Sequence, residues 1–146
     1  MKGVYCLLIR VKKKTEIRVG ALGPVMFARG LYAYVGSAQN GLAARLGRHF
    51  GTDKKARWHV DYLLASPAAM PRTALVAAAE KEAECRLAGM LGKIGRPVPG
   101  FGASDCSCAS HLFLLPAKLG AGEIARQLGL RQEMRPGEDT IRGAGG

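Results

Sequence analysis

Two tyrosines, a cluster of cationic side chains, a run of glutamates and a set of cysteines carry most of the chemistry this chain offers. In LYAYVGSAQNGLAARLGRH, residues 31–49, Tyr34 stands near the end of an apolar, aromatic run and a polar turn follows. Arg45, Arg48 and His49 then come in quick succession. If the last segment is helical, Arg45 and His49 are one turn apart and Arg48 joins them on the same face. Such a face suits phosphate. A guanidinium presents a planar fork of donors, and an imidazole exchanges protons near neutral pH. For His49 a plain surface contact with phosphate competes with an acid–base role. Tyrosines on strands are usually core, and it is their pairing with the basic face that makes them candidates for more.

The acidic groups lie in EKEAECRLAGML, residues 80–91. On a helix Ala83, Leu87, Met90, Leu91 and Ile94 define an apolar stripe. Glu80 and Glu84 fall on or beside it, and Glu82 points away toward solvent. A carboxylate at the margin of a core needs a partner, either a cation or an arginine. Soft ligands also occur at close spacing: Cys106, Cys108 and His111, with Cys85 as a fourth for a tetrahedral Zn²⁺. Against zinc, paired cysteines of structural sites are usually separated by two or more residues, and helical phase sets Cys85 opposite the stripe. The favoured alternative is a tight turn built on Gly100, Gly102, Ser104 and Asp105, with the cysteines packed as small hydrophobes. Trp58, His59 and Asp61 read either as the side wall of a groove or as a packed Trp beside an Asp-oriented His.

Several elements must position these groups. Gly3 to Val11 is apolar at both alternating registers, the pattern of a central strand covered on both faces. Glu16 to Val19 predicts a second strand at an edge, Leu22-Gly23-Pro24 a turn, and Leu31 to Val35 a third strand. Residues 36–41 supply turn and capping residues before a helix whose buried stripe is Leu42, Leu46 and Phe50. Trp58 to Ala65 predicts a short helical or irregular segment ended by Pro67 and Pro71. A strand over Ala74 to Ala79, a helix over Glu80 to Gly92, a Pro/Gly loop over Arg96 to Gly102, a strand over His111 to Leu115 and a helix over Gly122 to Leu130 follow. Met134 to Gly146 is poor in apolar residues and predicts a disordered tail, leaving one domain over residues 1–133. The expected fold class is α/β or α+β, a small mixed β-sheet flanked by helices.

Composition narrows the partners. The 146 residues hold 22 Lys and Arg against 11 Asp and Glu, a formal net charge of +11. An excess of that size attracts polyanions, and nucleic acid is the leading candidate. No apolar run approaches the roughly 20 residues a bilayer span requires, so no membrane association is expected. The opening MKGVYCLLIRVKKK has too short an apolar run and no small-residue cleavage site for a secretory signal. A soluble, cytoplasmic protein is expected, and its four cysteines do not read as a disulfide framework.

Gly3-Val4-Tyr5 on the first strand and Tyr34-Val35-Gly36 on a later one, followed by a helix with Arg45 and another with a glutamate, resemble the GIY-YIG nuclease superfamily. The closer likeness is to its small DUF123-like branch, through YVGSA (Tyr34 to Ala38), WHVDYL (Trp58 to Leu63) and GFGASDCSCASHLF (Gly100 to Phe113). The likeness covers about residues 1 to 116. It departs from the usual pattern in Val4 and in the long connection from Tyr5 to Tyr34, which an added strand near Glu16 to Val19 would fill.

The resemblance implies hydrolysis of phosphodiester bonds, most readily in DNA during repair or branched-DNA processing, with a single Mg²⁺ or Mn²⁺. It implies Tyr5 as general base or water-positioning group, Tyr34 and Arg45 on the phosphate, His49 beside them and Glu84 as metal ligand. Glu84 is preferred to Glu80 because Glu84-Cys85 matches the family pattern. Arg45 and Lys2 are the cations that would help a tyrosine ionise. The nucleic acid is expected to run over Lys2, Ser37, Arg48, Lys54, Lys55, Arg57, His59, Ser110 and His111. Two other functions compete: a basic nucleic-acid-binding module without catalysis, and a zinc-stabilised interaction domain resting on Cys85, Cys106, Cys108 and His111.

Overall fold

Residues Gly3–Val11 form strand β1, and its side chains alternate between two separate cores. Tyr5, Leu7, Ile9 and Val11 enter one, and Val4, Cys6 and Leu8 the other. The doubly apolar pattern therefore reflects a strand that excludes water from both faces. The structure is a computed structural model and describes residues 2–51, 56–103 and 106–134. After β1 come β2 (Thr15–Arg18), β3 (Pro24–Phe27), β4 (Gly30–Ala38), α1 (Leu42–Phe50), α2 (His59–Leu64), β5 (Ala69–Ala77), α3 (Ala83–Leu91), β6 (Arg96–Pro97), β7 (Leu112–Leu114), α4 (Ala121–Leu128) and β8 (Arg131–Met134).

Six strands make the main sheet in the order β6-β7-β4-β1-β5-β8, and β2 and β3 pair separately. The class is α+β, as expected. Every pairing in both sheets is antiparallel, which corrects the expectation of a mixed sheet. Helices α1 and α2, the β2–β3 hairpin and Phe101 cover one face, and α3 and α4 cover the other.

The long connection between the two tyrosines is this hairpin. β2 is not an edge of the main sheet, and β3 starts at Pro24, the last residue of the expected turn, and runs on through residues given no element. Because the hairpin leaves and returns at one end, β1 and β4 remain direct neighbours, with Tyr5 opposite Gly36 and Leu7 opposite Tyr34. β4 also runs on to Ala38, through residues expected to be a turn, because β1 continues to pair with it as far as Gly3. Pro71 does not end an element. It sits in β5 opposite Ile9, at a register irregularity and outside the stretch that β8 pairs with, where a missing N–H costs no ladder bond on that side. Strand β8 was not anticipated, its sequence RQEM lacking a strand pattern. Gly129, with φ of 70°, stops α4 and turns the chain into it. Met134 thus belongs to the sheet, and the rest of the expected tail lies outside the described residues.

Candidate active site

Two glycines explain how the strand motifs are built. A Cβ on Gly36 would lie 2.3 Å from the Tyr5 hydroxyl oxygen and 2.4 Å from Tyr5 Cζ, so the bare backbone of β4 is the floor on which the Tyr5 ring rests. A Cβ on Gly3 would lie 2.4 Å from the Ala77 carbonyl oxygen and 2.8 Å from a Leu42 methyl carbon, so this glycine lets β5 and α1 close on β1. Tyr5 and Tyr34 then stand on one face of adjacent strands with ring centroids 6.3 Å apart. Both are buried.

Helix α1 completes the cluster. Leu42 and Leu46 are fully buried as expected, but His49 is buried with them and its Nε2 shares a hydrogen bond of 2.7 Å with the Tyr5 hydroxyl. Arg45 donates to the Ser37 carbonyl at 2.9 Å, and its positive charge bears on the Tyr5 hydroxyl, favouring its ionised form. Arg45 and Arg48 both lie against the Trp58 ring, their guanidinium carbons 4.3 and 4.6 Å from its centroid. The three groups expected to share an open face therefore divide. Arg45 faces a cavity, His49 is internal, and Arg48 forms a two-pronged ion pair with Asp61 at 2.9 and 3.0 Å.

Asp61 also accepts from the backbone amides of Arg57 and Trp58, at 2.8 and 2.9 Å, which fastens the start of α2. Burial raises its pKa, but the hydrogen bonds from Arg48 and the two amides outweigh this and hold the carboxyl below its ordinary value. Asp61 thus orients Arg48 and not His59. His59 Nδ1 accepts from the Gly102 amide at 2.8 Å, and burial lowers its pKa. That bond draws the loop before β7 across Tyr34, where a Cβ on Gly102 would lie 3.1 Å from the ring.

A cavity of about 650 Å³ opens at this point, and Tyr5, Tyr34, Ser37, Arg45 and Glu84 all line it. They come from β1, β4, α1 and α3, elements far apart in sequence. Trp58, Cys85, Cys106 and His111 contribute to the same wall. Glu82 is exposed, as expected, yet also lines the cavity, because it stands at the N-cap position before α3, ahead of the helical phase that would turn it away. Glu80 is instead exposed and paired with Lys2 at 2.9 Å, which ties Lys2 to a carboxylate at the surface.

The electrostatics keep both tyrosines protonated at neutral pH. Burial pushes the Tyr5 hydroxyl up to about 12 despite the opposing pull of Arg45, and burial with the nearby Tyr5 and Glu84 raises Tyr34 well above its ordinary value. Glu84 lies 2.8 Å from His111 Nδ1, a charge contact set too far out of line with the ring N–H for a hydrogen bond. Burial works against a charged His111, but the Glu84 carboxylate more than compensates and its pKa is raised.

The other residues expected on a nucleic-acid track divide as well. Arg57 is exposed, and Ser37 accepts from Gln39 Nε2 at 2.7 Å. Ser110 is corrected. It is buried and its hydroxyl donates to the Leu112 carbonyl at 2.9 Å, so it braces the turn into β7 and offers nothing to a ligand. Lys54 and Lys55 lie outside the described residues.

Cys6 lies in the core and half-buried Cys108 packs against it, but Cys85 and Cys106 do not pack as small hydrophobes; Ser104 and Asp105 of the expected tight turn lie outside the described residues. Cys85 is exposed and Cys106 and Cys108 are half-buried, yet their sulfurs and a His111 nitrogen all lie within 4.8 Å of one another. Helical phase does turn Cys85 away from the apolar stripe, and the loop bearing Cys106 and Cys108 folds over to meet it. Burial raises the Cys106 thiol, but the Cys108 amide, the neighbouring thiols and His111 bring it below its ordinary value.

A family model described as a domain of unknown function, DUF123, matches residues 4–129. The chain belongs to that family. No curated protein and no solved structure matches the chain. The DUF123 match spans every element from β1 to α4, and so takes in the whole cavity wall. No helix among the described residues is long and apolar enough to cross a membrane.

Proposed function

We propose that this DUF123 protein is a metal-dependent endonuclease of the GIY-YIG type that hydrolyses phosphodiester bonds in DNA. The observation that carries the reading is the meeting of Tyr5, Tyr34, Arg45 and Glu84 in one cavity, on a chain with a net charge of +11. A phosphodiester gains negative charge on its nonbridging oxygens as the transition state forms, and the donors Arg45 does not spend on Ser37 meet that charge. Tyr34 donates to the same phosphate.

Tyr5 is a proton carrier in this scheme. In the tautomer with a bare Nε2, His49 accepts the Tyr5 proton. As water attacks phosphorus, its proton passes to the Tyr5 oxygen while the Tyr5 proton passes to His49. The phosphorus–oxygen bond to the leaving group breaks, and that oxygen takes a proton from solvent. A buried phenol with a pKa near 12 acts best in this way, because it never needs to exist as a free phenolate.

Glu84 has the character a hard cation requires. It is a carboxylate facing the cavity, with one oxygen on His111 and the other directed to no described partner. Mg²⁺ or Mn²⁺ typically takes one or two carboxylates and fills its remaining positions with water and phosphate, and Glu82 stands nearby as a second. When bound, the ion would supply charge neutralisation at the leaving oxygen.

The test is cleavage of labelled duplex, nicked, flap and junction DNA with Mg²⁺, Mn²⁺ or chelator. Glu84→Gln keeps an oxygen beside His111 but loses the charge, so cleavage collapses while DNA binding survives. Arg45→Ala loses rate and affinity together. Glu82 is unsuitable as a control since it lines the cavity; Glu123→Gln on α4 serves and cuts as the parent does. Cleavage by Glu84→Gln at the parent's rate under saturating metal would overturn the mechanism. Tight, salt-dependent binding without cleavage of any substrate by the parent would favour the non-catalytic binding module.

A further inference from the structure

We infer that Cys85, Cys106, Cys108 and His111 form a closed tetrahedral Zn²⁺ site behind the cavity wall. The four ligand atoms come from the exposed side of α3 and from the loop that leads into β7, and all lie within 4.8 Å of one another. In a tetrahedral site with ordinary zinc bond lengths, sulfurs are about 3.8 Å apart and sulfur and nitrogen about 3.6 Å. The Cys106 and Cys85 sulfurs lie 3.4 and 3.9 Å from His111 Nε2. The polyhedron is thus already close to the size the ion requires, with ligands from two chain segments twenty residues apart brought to it by the fold.

The orientation of His111 is a second, independent observation. Its Nδ1 faces the Glu84 carboxylate at 2.8 Å, and its Nε2 faces the sulfurs. A carboxylate this close to Nδ1, although too bent from the ring N–H to make a hydrogen bond, favours a proton on Nδ1 and so leaves the lone pair on Nε2, aimed into the cysteine cluster. That is the arrangement in which an outer carboxylate fixes a zinc-bound imidazole. Three thiolates and an imidazole select a soft or borderline ion over Mg²⁺ or Ca²⁺, and a four-ligand sulfur-rich tetrahedron selects zinc. Cys6 provides the contrast, since it alone of the four cysteines is fully buried, with no other ligand-bearing side chain of the cluster beside it.

Four protein ligands leave no position for water or phosphate, so the ion is structural. It clips the loop over Tyr34 to the first turn of α3, which carries Glu84 and follows Glu82. The single residue between Cys106 and Cys108 and the helical phase of Cys85 weighed against the site in the sequence, where the fold brings the four ligands together.

The inference does not depend on nuclease activity and is tested without it. Full-length protein purified under reducing conditions is expected to contain about one zinc per chain by elemental analysis. Replacement by Co²⁺ is expected to give the visible bands of tetrahedral cobalt with a thiolate charge-transfer band. Chelation is expected to lower the melting temperature, with recovery on adding Zn²⁺ and none on adding Mg²⁺. Cys106→Ser and Cys108→Ser lose the metal, Cys6→Ala keeps it, and Glu84→Gln keeps it with roughly 10–100-fold weaker affinity. A parent that holds only trace zinc and takes up none on titration, or a disulfide among Cys85, Cys106 and Cys108 in the reduced preparation, would overturn the assignment. Retention of full zinc by a Cys106→Ser/Cys108→Ser double variant would do the same. If a serine variant fails to fold, the cobalt spectrum and the zinc titration of the parent decide.

Discussion

Gly36→Ala isolates the packing that holds Tyr5 in place while leaving every chemical group intact. The new methyl would meet the Tyr5 hydroxyl oxygen at 2.3 Å and Cζ at 2.4 Å, whereas ordinary contact begins at 3.4 Å. The ring must therefore retreat by about 1 Å, a shift typical of overpacked cores. It cannot do so freely. It is buried, packed against Tyr34 and His49, and its hydroxyl is bonded to His49 at 2.7 Å. Overpacking costs about 1–3 kcal/mol and a broken buried hydrogen bond about 1–3 kcal/mol, so together the loss is about 2–6 kcal/mol. Urea unfolding of the parent, Gly36→Ala, Tyr5→Leu and the double variant measures it. Leucine ends short of the clashing atoms, so the alanine should cost little in the Tyr5→Leu background, with a coupling of at least about 1 kcal/mol. Additive effects, or a Gly36→Ala protein as stable as the parent, would refute the argument that Gly36 is a floor for Tyr5.

Two further outcomes follow from the buried polar groups. Asp61→Ala removes the carboxylate that pairs with Arg48 and leaves two amides at the start of α2 without their acceptor, and should destabilise by about 2–4 kcal/mol, read by chemical denaturation; a change below about 0.5 kcal/mol would show that these bonds contribute nothing. Tyr5 keeps its proton to about pH 12 when folded and to about 10 when unfolded, so its contribution is complete below pH 10 and falls as pH rises through 12. That loss amounts to about 3 kcal/mol over the two units. The stability difference between the parent and Tyr5→Phe should therefore shrink between pH 9 and about 11.5, and parallel pH profiles for the two proteins would contradict it.

Periodicity alone determined much of the frame. β1 was legible as a central strand because its apolar residues fill both registers, and α1 because Leu42 and Leu46 recur at helical spacing. Tyr5, Tyr34, Arg45 and Glu84 were singled out by the motifs that hold them, and their glycines prove to be spaces that neighbouring side chains occupy. Local pattern could not reach what depends on partners distant in sequence. β8 is a strand because β5 offers it an open edge, and Pro71 is tolerated because the same edge ends before it. His49 and Arg48 are separated from Arg45 by Tyr5 and Asp61, which draw one inward and the other aside. Helical phase placed Cys85 on the outside correctly but could not say that a loop some twenty residues later would fold over it. One sequence encodes each segment's own preferences. Which side chains meet is decided by packing between segments, where burial and the need to satisfy every buried polar group act on all of them at once.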